Sequence, residues 1–320
     1  MHITLITPAK KQARNGNRIS ALRWAKFLRQ DNHTVKIHTE YNYSKTNLMI
    51  ALHAWRSSNA IIKYKKLYPK GPLIVVLGGT DVNKFLEIDK DLTLKSLELA
   101  NAIVCLHGLV GDLLPKHLHR KLHLIRQSAT PLPKIRRPSK KFFDVCVIGH
   151  LRDEKDALRA ALAARLVPQK SKIRVNLFGK AYSDHWAKKA QNEMINNKRF
   201  RWYGEVPKWR IRQEYAKTNL MVISSTQEGG ANVISEAIIA NVPVIASKIS
   251  GNVGLLGPQY PAYYPQKNEH ALAKIIVKAE TNINFLDSIL HYYQSIKKFY
   301  LPEKEHKDWL LLVNKVMAAK

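Results

Sequence analysis

Ser224-Ser225-Thr226-Gln227-Glu228-Gly229-Gly230-Ala231-Asn232-Val233-Ile234-Ser235-Glu236-Ala237 is the stretch of this 320-residue chain whose reading decides the fold. It follows a short apolar run, Leu220–Ile223, turns on two glycines, and opens a helical pattern that leads to a second apolar run, Pro243–Ala246. Strand, glycine turn, helix and strand in that order make a βαβ unit, the building block of a parallel sheet. Glu228 falls in the loop, and Glu236, eight positions on, falls about two turns into the helix. Two carboxylates so placed accept hydrogen bonds from sugar hydroxyls, while the backbone N–H groups of Gly229 and Gly230 and the helix dipole meet a diphosphate. The plainer alternative makes Glu228 a capping acid and Glu236 a solvated helix residue.

Outward from this stretch the same grammar repeats. Short runs rich in Val, Ile and Leu recur at Ile3–Ile6, Val35–Ile37, Leu73–Leu77, Ile103–Leu106 and Leu122–Ile125. A second set follows at Val145–Ile148, Ile173–Phe178, Phe200–Tyr203, Leu220–Ile223 and Pro243–Ala246. Helical patterns separate them, and each set is the size of one doubly wound domain. Between the sets, Thr130-Pro131-Leu132-Pro133-Lys134-Ile135-Arg136-Arg137-Pro138-Ser139 carries three prolines, which resist both helix and sheet ladders. The expected organisation is an N-terminal domain over 1–135, completed by a helix at about 301–320, and a C-terminal domain over 141–300.

Composition narrows the class of protein. With 45% hydrophobic and 24% charged residues the chain can build packed cores, which excludes intrinsic disorder. Its two cysteines, Cys105 and Cys146, both sit in apolar runs, which excludes a disulfide scaffold or a cysteine-metal site. No stretch approaches the roughly 18 apolar residues of a membrane helix, and the N-terminus runs straight into a strand-like segment, so a cytoplasmic protein is expected. The net charge of +29 is spread over both halves, with 25 Lys/Arg against 8 Asp/Glu in residues 1–140 and 28 against 16 beyond. Such a field attracts polyanions, anionic lipids and small anionic substrates alike.

Three other places sit where a strand hands over to a helix, at the edge of an open parallel sheet where ligands bind. The first βα turn, Thr7 to Arg18, contains Gly16, Asn17 and Arg18 ahead of a helix whose Ala21, Leu22, Ala25 and Leu28 form an apolar stripe, with Arg23 and Lys26 pointing away. It is a candidate anion site. Leu77-Gly78-Gly79-Thr80-Asp81 follows another strand; either Thr80 or Asp81 caps the next segment, or Asp81 faces a ligand and orients an acceptor. In Gly149-His150-Leu151-Arg152-Asp153-Glu154-Lys155-Asp156, Arg152 and Lys155 stand beside a ligand at the strand ends, or pair on the surface with Asp153 or Glu154. Asp89-Lys90-Asp91 and the His117, His119 and His123 cluster are discounted as metal sites, and the scattered tryptophans read as packing residues.

Glu228 and Glu236 with the glycines between them, followed by Pro243-Val244-Ile245-Ala246-Ser247, resemble the donor-site signature of retaining, glycosyltransferase family 4-like GT-B enzymes, in which two glutamates are separated by seven residues. Further stretches extend the likeness: Gly16-Asn17-Arg18 with Ala21–Ala25, Gly79-Thr80-Asp81, Gln127-Ser128-Ala129, Gly149-His150-Leu151-Arg152 with Lys155-Asp156, Glu228–Val233 and Gly251–Gly257. Together these look like the selenosugar synthases of selenoneine biosynthesis, GT-B enzymes that join selenophosphate to the sugar of a UDP-sugar. The resemblance implies an α/β GT-B fold, two Rossmann-like doubly wound parallel-sheet domains facing a central cleft, the first for the acceptor and the second for the nucleotide-sugar donor.

The same resemblance assigns roles. Glu228, Arg152 and Lys155 would be catalytic, with Arg152 and Lys155 neutralising the diphosphate. Gly229, Gly230, Asn232, Val233, Glu236, Gly204, Glu205, Val206 and Gly149 would bind the donor, Glu236 through the ribose and Gly204-Glu205-Val206 beside the uracil. Gly16, Asn17, Arg18, Thr80 and Asp81 would meet the acceptor or phosphates. No metal or other cofactor is implied; UDP-glucose or UDP-N-acetylglucosamine and selenophosphate are the partners, with downstream selenoneine-pathway enzymes, without nucleic acid and with room for peripheral membrane contact. Two departures stand out: His150 occupies a position where related enzymes commonly carry arginine, and the histidine that many have near Gly79 or Thr80 is absent. Selenophosphate, already ionised at neutral pH, tolerates that absence because it needs no general base. The competing expectations are a glycosyltransferase for a lipid-linked or polysaccharide acceptor at a membrane surface, and a basic nucleic-acid-binding protein with a vestigial transferase fold.

Overall fold

The computed structural model describes residues 1–13 and 15–319, so Arg14 of the first turn lies outside the described residues. The chain divides into two compact units. One comprises Met1–Ser128, Gly229–Asn232 and Leu301–Lys320, the other Ala129–Glu228 and Val233–Tyr300.

The sheet of the first unit contains β1 (His2–Ile6), β2 (Thr34–His38), β3 (Leu48–Leu52), β4 (Leu73–Val76), β5 (Ala102–Cys105) and β6 (Leu122–Leu124), in the order β2-β1-β3-β4-β5-β6. That of the second contains β7 (Phe143–Ile148), β8 (Ile173–Phe178), β9 (Phe200–Trp202), β10 (Leu220–Ile223), β11 (Val244–Ser247) and β12 (Tyr263–Tyr264), in the order β12-β11-β10-β7-β8-β9. Every pairing in both is parallel. The architecture is α/β and doubly wound, as the recurrent apolar runs require.

Two strands escape the sequence pattern. Leu48-Met49-Ile50-Ala51-Leu52 has one β-branched residue and reads equally as a buried helix segment. Tyr263–Tyr264 is only two residues long. The strand order reverses between β1 and β3 in one sheet and between β7 and β10 in the other. At such reversals the loops leaving adjacent strands diverge to opposite faces and open a crevice.

In the first unit the sheet is covered on both faces. One face packs Ile3, Leu5, Ile50 and Val76 against Trp24 and Leu28 of the helix Gly16–Gln30 and Trp309 and Val313 of the helix Pro302–Ala318. The other packs Ile6, Met49, Val75 and Ile103 against Ile61 and Tyr64 of the helix Ser58–Leu67. Burial on two sides is why the strands read as continuous rather than alternating apolar runs.

The helix Gly16–Gln30 corrects one expectation. Its core stripe is Ala21, Trp24, Ala25 and Leu28, whereas Leu22 is 47% exposed. Arg23 turns toward Glu305, its Nε 2.9 Å from Oε2. Glu305 is fully buried and accepts from Trp24 Nε1 at 2.7 Å and from the Ser128 amide and hydroxyl at 2.6 and 2.5 Å. A carboxylate with this many partners ties the terminal helix to the body of the first unit. Removing it strands Arg23 and three donors, so Glu305→Ala should lower the stability of the protein by about 3–5 kcal/mol in urea denaturation, with Glu305→Gln less damaging.

Candidate active site

At the reversal of the second sheet, β7 and β10 are hydrogen-bonded neighbours, so the loops at their carboxyl ends lie side by side. Two contacts fasten them: the Thr226 amide donates to the Glu154 carbonyl at 2.9 Å, and Ser224 Oγ donates to the Asp156 carbonyl at 2.8 Å. The result brings Lys155 Nζ to 2.5 Å from Glu228 Oε1, which also accepts from Ser225 Oγ at 2.6 Å. Glu228 is buried, while Lys155 keeps a fifth of its side-chain surface open at 21%. Gly149, Lys155, Ser224, Ser225 and Glu228 line one small cleft at the strand ends. Gly251 completes the support, since a Cβ there would strike the Glu228 backbone.

Glu236 sits on the helix Asn232–Ile239. The helix starts at Asn232, so Glu236 is one turn in rather than two. The buried Tyr215 hydroxyl donates to its Oε2 at 3.1 Å. Burial, and then the charge of Glu236, raises the Tyr215 phenol well above its ordinary range, so it remains a donor.

Arg152 parts from Lys155. Its guanidinium lies 5.3 Å over the Tyr182 ring and 3.7 Å from Glu154 Oε2, the surface pairing that is the plainer of the two sequence readings. His150 Nδ1 accepts the Lys180 amide at 3.1 Å, which leaves the neutral ring's proton on Nε2. Gly204 takes φ +67, a left-handed conformation suited to glycine, and its carbonyl accepts from the Gly179 amide at 2.8 Å. Glu205 beside it is exposed and Val206 half-buried.

In the first unit, Gly16, Asn17 and Arg18 form the first turn of their helix, capped by the Asn15 side chain, which accepts from the Arg18 amide at 3.1 Å. Arg23 Nη2 donates to Asn232 Oδ1 at 3.0 Å, and Val233 follows half-buried. Gly229 lies on the Gly79 backbone and Gly230 on Leu106, so a side chain at either would collide.

Asp81 is fully buried, which removes it from direct contact with a ligand. Its two oxygens accept the amides of Ala54, Trp55 and Gly78 at 3.1, 3.0 and 2.7 Å. Thr80 beside it is half-buried. His53, at the end of β3, places Nδ1 2.6 Å from Asp81 Oδ1 and Nε2 2.8 Å from Thr80 Oγ1. The histidine missing from the neighbourhood of Thr80 in sequence is therefore present in space. The signal that could have found it was the apolar run Leu48–Leu52 immediately before it, had that run been read as a strand. Asp89 of the discounted acidic triplet accepts the Trp55 indole N–H at 2.8 Å, a structural use.

The family profile described as glycosyl transferases group 1 matches residues 130–292. The chain belongs to this family. TuaC of Bacillus subtilis (strain 168), named as a glycosyltransferase of teichuronic acid biosynthesis, is 32% identical to this glycosyltransferase over 77 residues, 24% of this chain and 20% of that protein. The match thus spans about a fifth of that relative's length. Among solved structures, a sucrose-phosphate synthase from Thermosynechococcus elongatus aligns with 16% identity, full coverage of both chains and a TM-score of 0.83. Anabaena Alr3699/HepE, in complex with UDP and glucose, aligns with 14% identity, 98% of this chain, 100% of that one and a TM-score of 0.78. These likenesses establish the GT-B fold for this glycosyltransferase. Among its described residues no helix is long and apolar enough to cross a membrane.

One pH effect follows from His150. Burial is the largest cause pushing its pKa below the ordinary 6.5, with Glu205 opposing and Arg152, Lys155 and Lys180 adding to the fall. The folded state then binds this proton less readily than the unfolded chain, so its stability is full above pH 6.5 and declines as pH falls below it. His150→Gln should remove this part of the acid sensitivity, read as a flatter dependence of the urea midpoint on pH below that value.

Proposed function

We propose that this glycosyltransferase transfers a hexose-type sugar from UDP-glucose or UDP-N-acetylglucosamine to selenophosphate, releasing UDP and forming the carbon–selenium bond of a 1-selenosugar for selenoneine biosynthesis. The observation that carries the reading is the Lys155–Glu228 pair at the strand reversal of the second unit, in a chain whose motifs resemble the selenosugar synthases. In this reading residues 141–300 hold the donor, residues 1–135 with the terminal helix hold the acceptor, and the enzyme works in the cytoplasm with diffusible substrates.

The chemistry assigns the side chains. As the bond from the anomeric carbon to the diphosphate oxygen breaks, its electron pair leaves with UDP, and negative charge grows on the β-phosphate. Lys155, Arg152 and the amides opening the helix at Asn232 meet that charge without a metal. Glu228 holds the sugar hydroxyls beside Lys155; Glu236 holds the ribose hydroxyls. A selenium lone pair of the ionised acceptor closes the new bond, and no proton has to be removed from it first. Donor and acceptor are both anions, so the positive field of the chain draws together substrates that repel each other.

UDP release by the purified protein, with and without selenophosphate, tests the reading when mass spectrometry is used to find a selenium-containing sugar. Glu228→Gln should abolish that turnover and leave UDP binding largely intact. Lys155→Met should lower kcat by roughly 100-fold or more, the scale of losing one group that stabilises transition-state charge. The likeness to TuaC favours a second acceptor class, polymeric or lipid-linked. UDP release that needs such an acceptor and ignores selenophosphate would overturn the first.

A further inference from the structure

We propose that Arg159 is a positioning residue for Lys155: by gripping the Asp156 carboxylate it holds the backbone turn that aims the Lys155 ammonium at Glu228. The inference rests on the reading of Lys155 as the group that meets the leaving diphosphate.

Lys155 closes one short helical turn, Asp153–Lys155, and the chain then changes hand at Asp156, which takes φ 43 and ψ 39. This left-handed conformation crowds the Cβ of any residue but glycine against its own backbone, so a side chain there has to be held. The bonds around it leave little slack. The Lys155 amide donates to the Arg152 carbonyl at 3.1 Å, and the Asp156 amide to the Asp153 carbonyl at 3.3 Å. The Asp156 carbonyl in turn accepts the Arg159 amide at 3.0 Å and Ser224 Oγ at 2.8 Å. Rotation of the backbone at Asp156 would break the contact with Ser224, which fastens this loop to the one carrying Glu228. It would also swing Lys155 Nζ away from Glu228 Oε1, now 2.5 Å distant.

Arg159 supplies the hold. Its Nε and Nη2 donate to the two oxygens of Asp156 at 2.9 and 3.3 Å, and its Nη1 donates to Glu269 Oε2 at 2.5 Å. One guanidinium thus forks onto Asp156 with one edge and ties that fork to a second carboxylate with its remaining nitrogen. Glu269 opens the helix Glu269–Thr281, so the grip is anchored outside the loop it steadies. The pair is sheltered as well, the Arg159 and Asp156 side chains being 16% and 17% exposed. An ion pair open to water contributes little and fixes no geometry. A forked and sheltered one tied to a second helix does fix a geometry, and the residue it fixes is the direct chain neighbour of Lys155.

Steady-state UDP release with a UDP-sugar and selenophosphate tests the proposal. Asp156→Ala and Asp156→Gly both take the carboxylate from Arg159 and differ in the Cβ alone. Asp156→Ala should lower kcat by roughly three- to tenfold, the scale of holding a Cβ in a left-handed conformation. Asp156→Gly should retain most of kcat, because glycine takes that conformation without being held. Arg159→Met should lower kcat by a similar factor with the selenophosphate KM unmoved. In a chain already carrying Asp156→Gly or Lys155→Met the same change should cost less than about twofold, since the grip acts through those two residues. Equal losses in Asp156→Ala and Asp156→Gly, an Arg159→Met loss undiminished by Lys155→Met, or an intact kcat with only a lower urea midpoint each overturn the proposal. Should Arg159→Met not fold, the two Asp156 variants decide alone. If the unaltered protein releases no UDP with selenophosphate, the reading of the reaction fails on its own. The aim of Lys155 is then read without any ligand, by NMR of protein isotope-labelled at lysine Cε, where its signal is the one lost in Lys155→Met. Asp156→Ala should shift that signal and Asp156→Gly leave it in place; an unmoved signal in Asp156→Ala overturns the positioning role.

Discussion

A parallel strand cannot be joined to its neighbour by a tight turn, and this constraint organises the molecule. Each connection must cross a face of the sheet, and a chain that winds first one way and then the other leaves a single reversal in each sheet. In the second unit that reversal lies between β7 and β10, strands that meet although Lys155 and Glu228 are 73 positions apart. In the first it lies between β1 and β3. Lys155 and Glu228 meet at the first of these places, and His53 and Thr80 meet beside the second.

Charge is handled differently inside and outside. The surface carries most of a +29 excess, and three of the six buried acids show how negative charge is held inside: Glu228 with Lys155 and Ser225, Asp81 with His53 and three amides, Glu305 with Arg23, Trp24 and Ser128. A carboxylate removed from water without such partners would cost several kcal/mol. Each therefore marks a position where the fold has been arranged around a fixed negative charge. Two of the three, Glu228 and Asp81, stand just beyond strand ends.

The second unit was readable because its signals are local. A strand, two glycines and a helix follow one another within twenty residues. The helix entry shifted Glu236 by a turn, because helix starts are set by capping geometry that periodicity locates only loosely. The first unit was less readable for one reason. Leu48–Leu52 lacks the β-branched bias of its neighbours, so its pattern does not mark the strand that delivers His53 to Thr80.

The sequence alone determined the fold class, since apolar runs broken by glycine turns and amphipathic helices have no other way to bury two faces of a sheet. It also determined the family-defining stretch from Glu228 to Glu236, whose spacing survives any detail of packing. Tertiary structure decided which strands are neighbours, and so which distant side chains meet: Lys155 with Glu228, His53 with Thr80 and Asp81, Arg23 with Glu305. Strand pairing in a parallel sheet is non-local, and no window of sequence contains both members of such a pair.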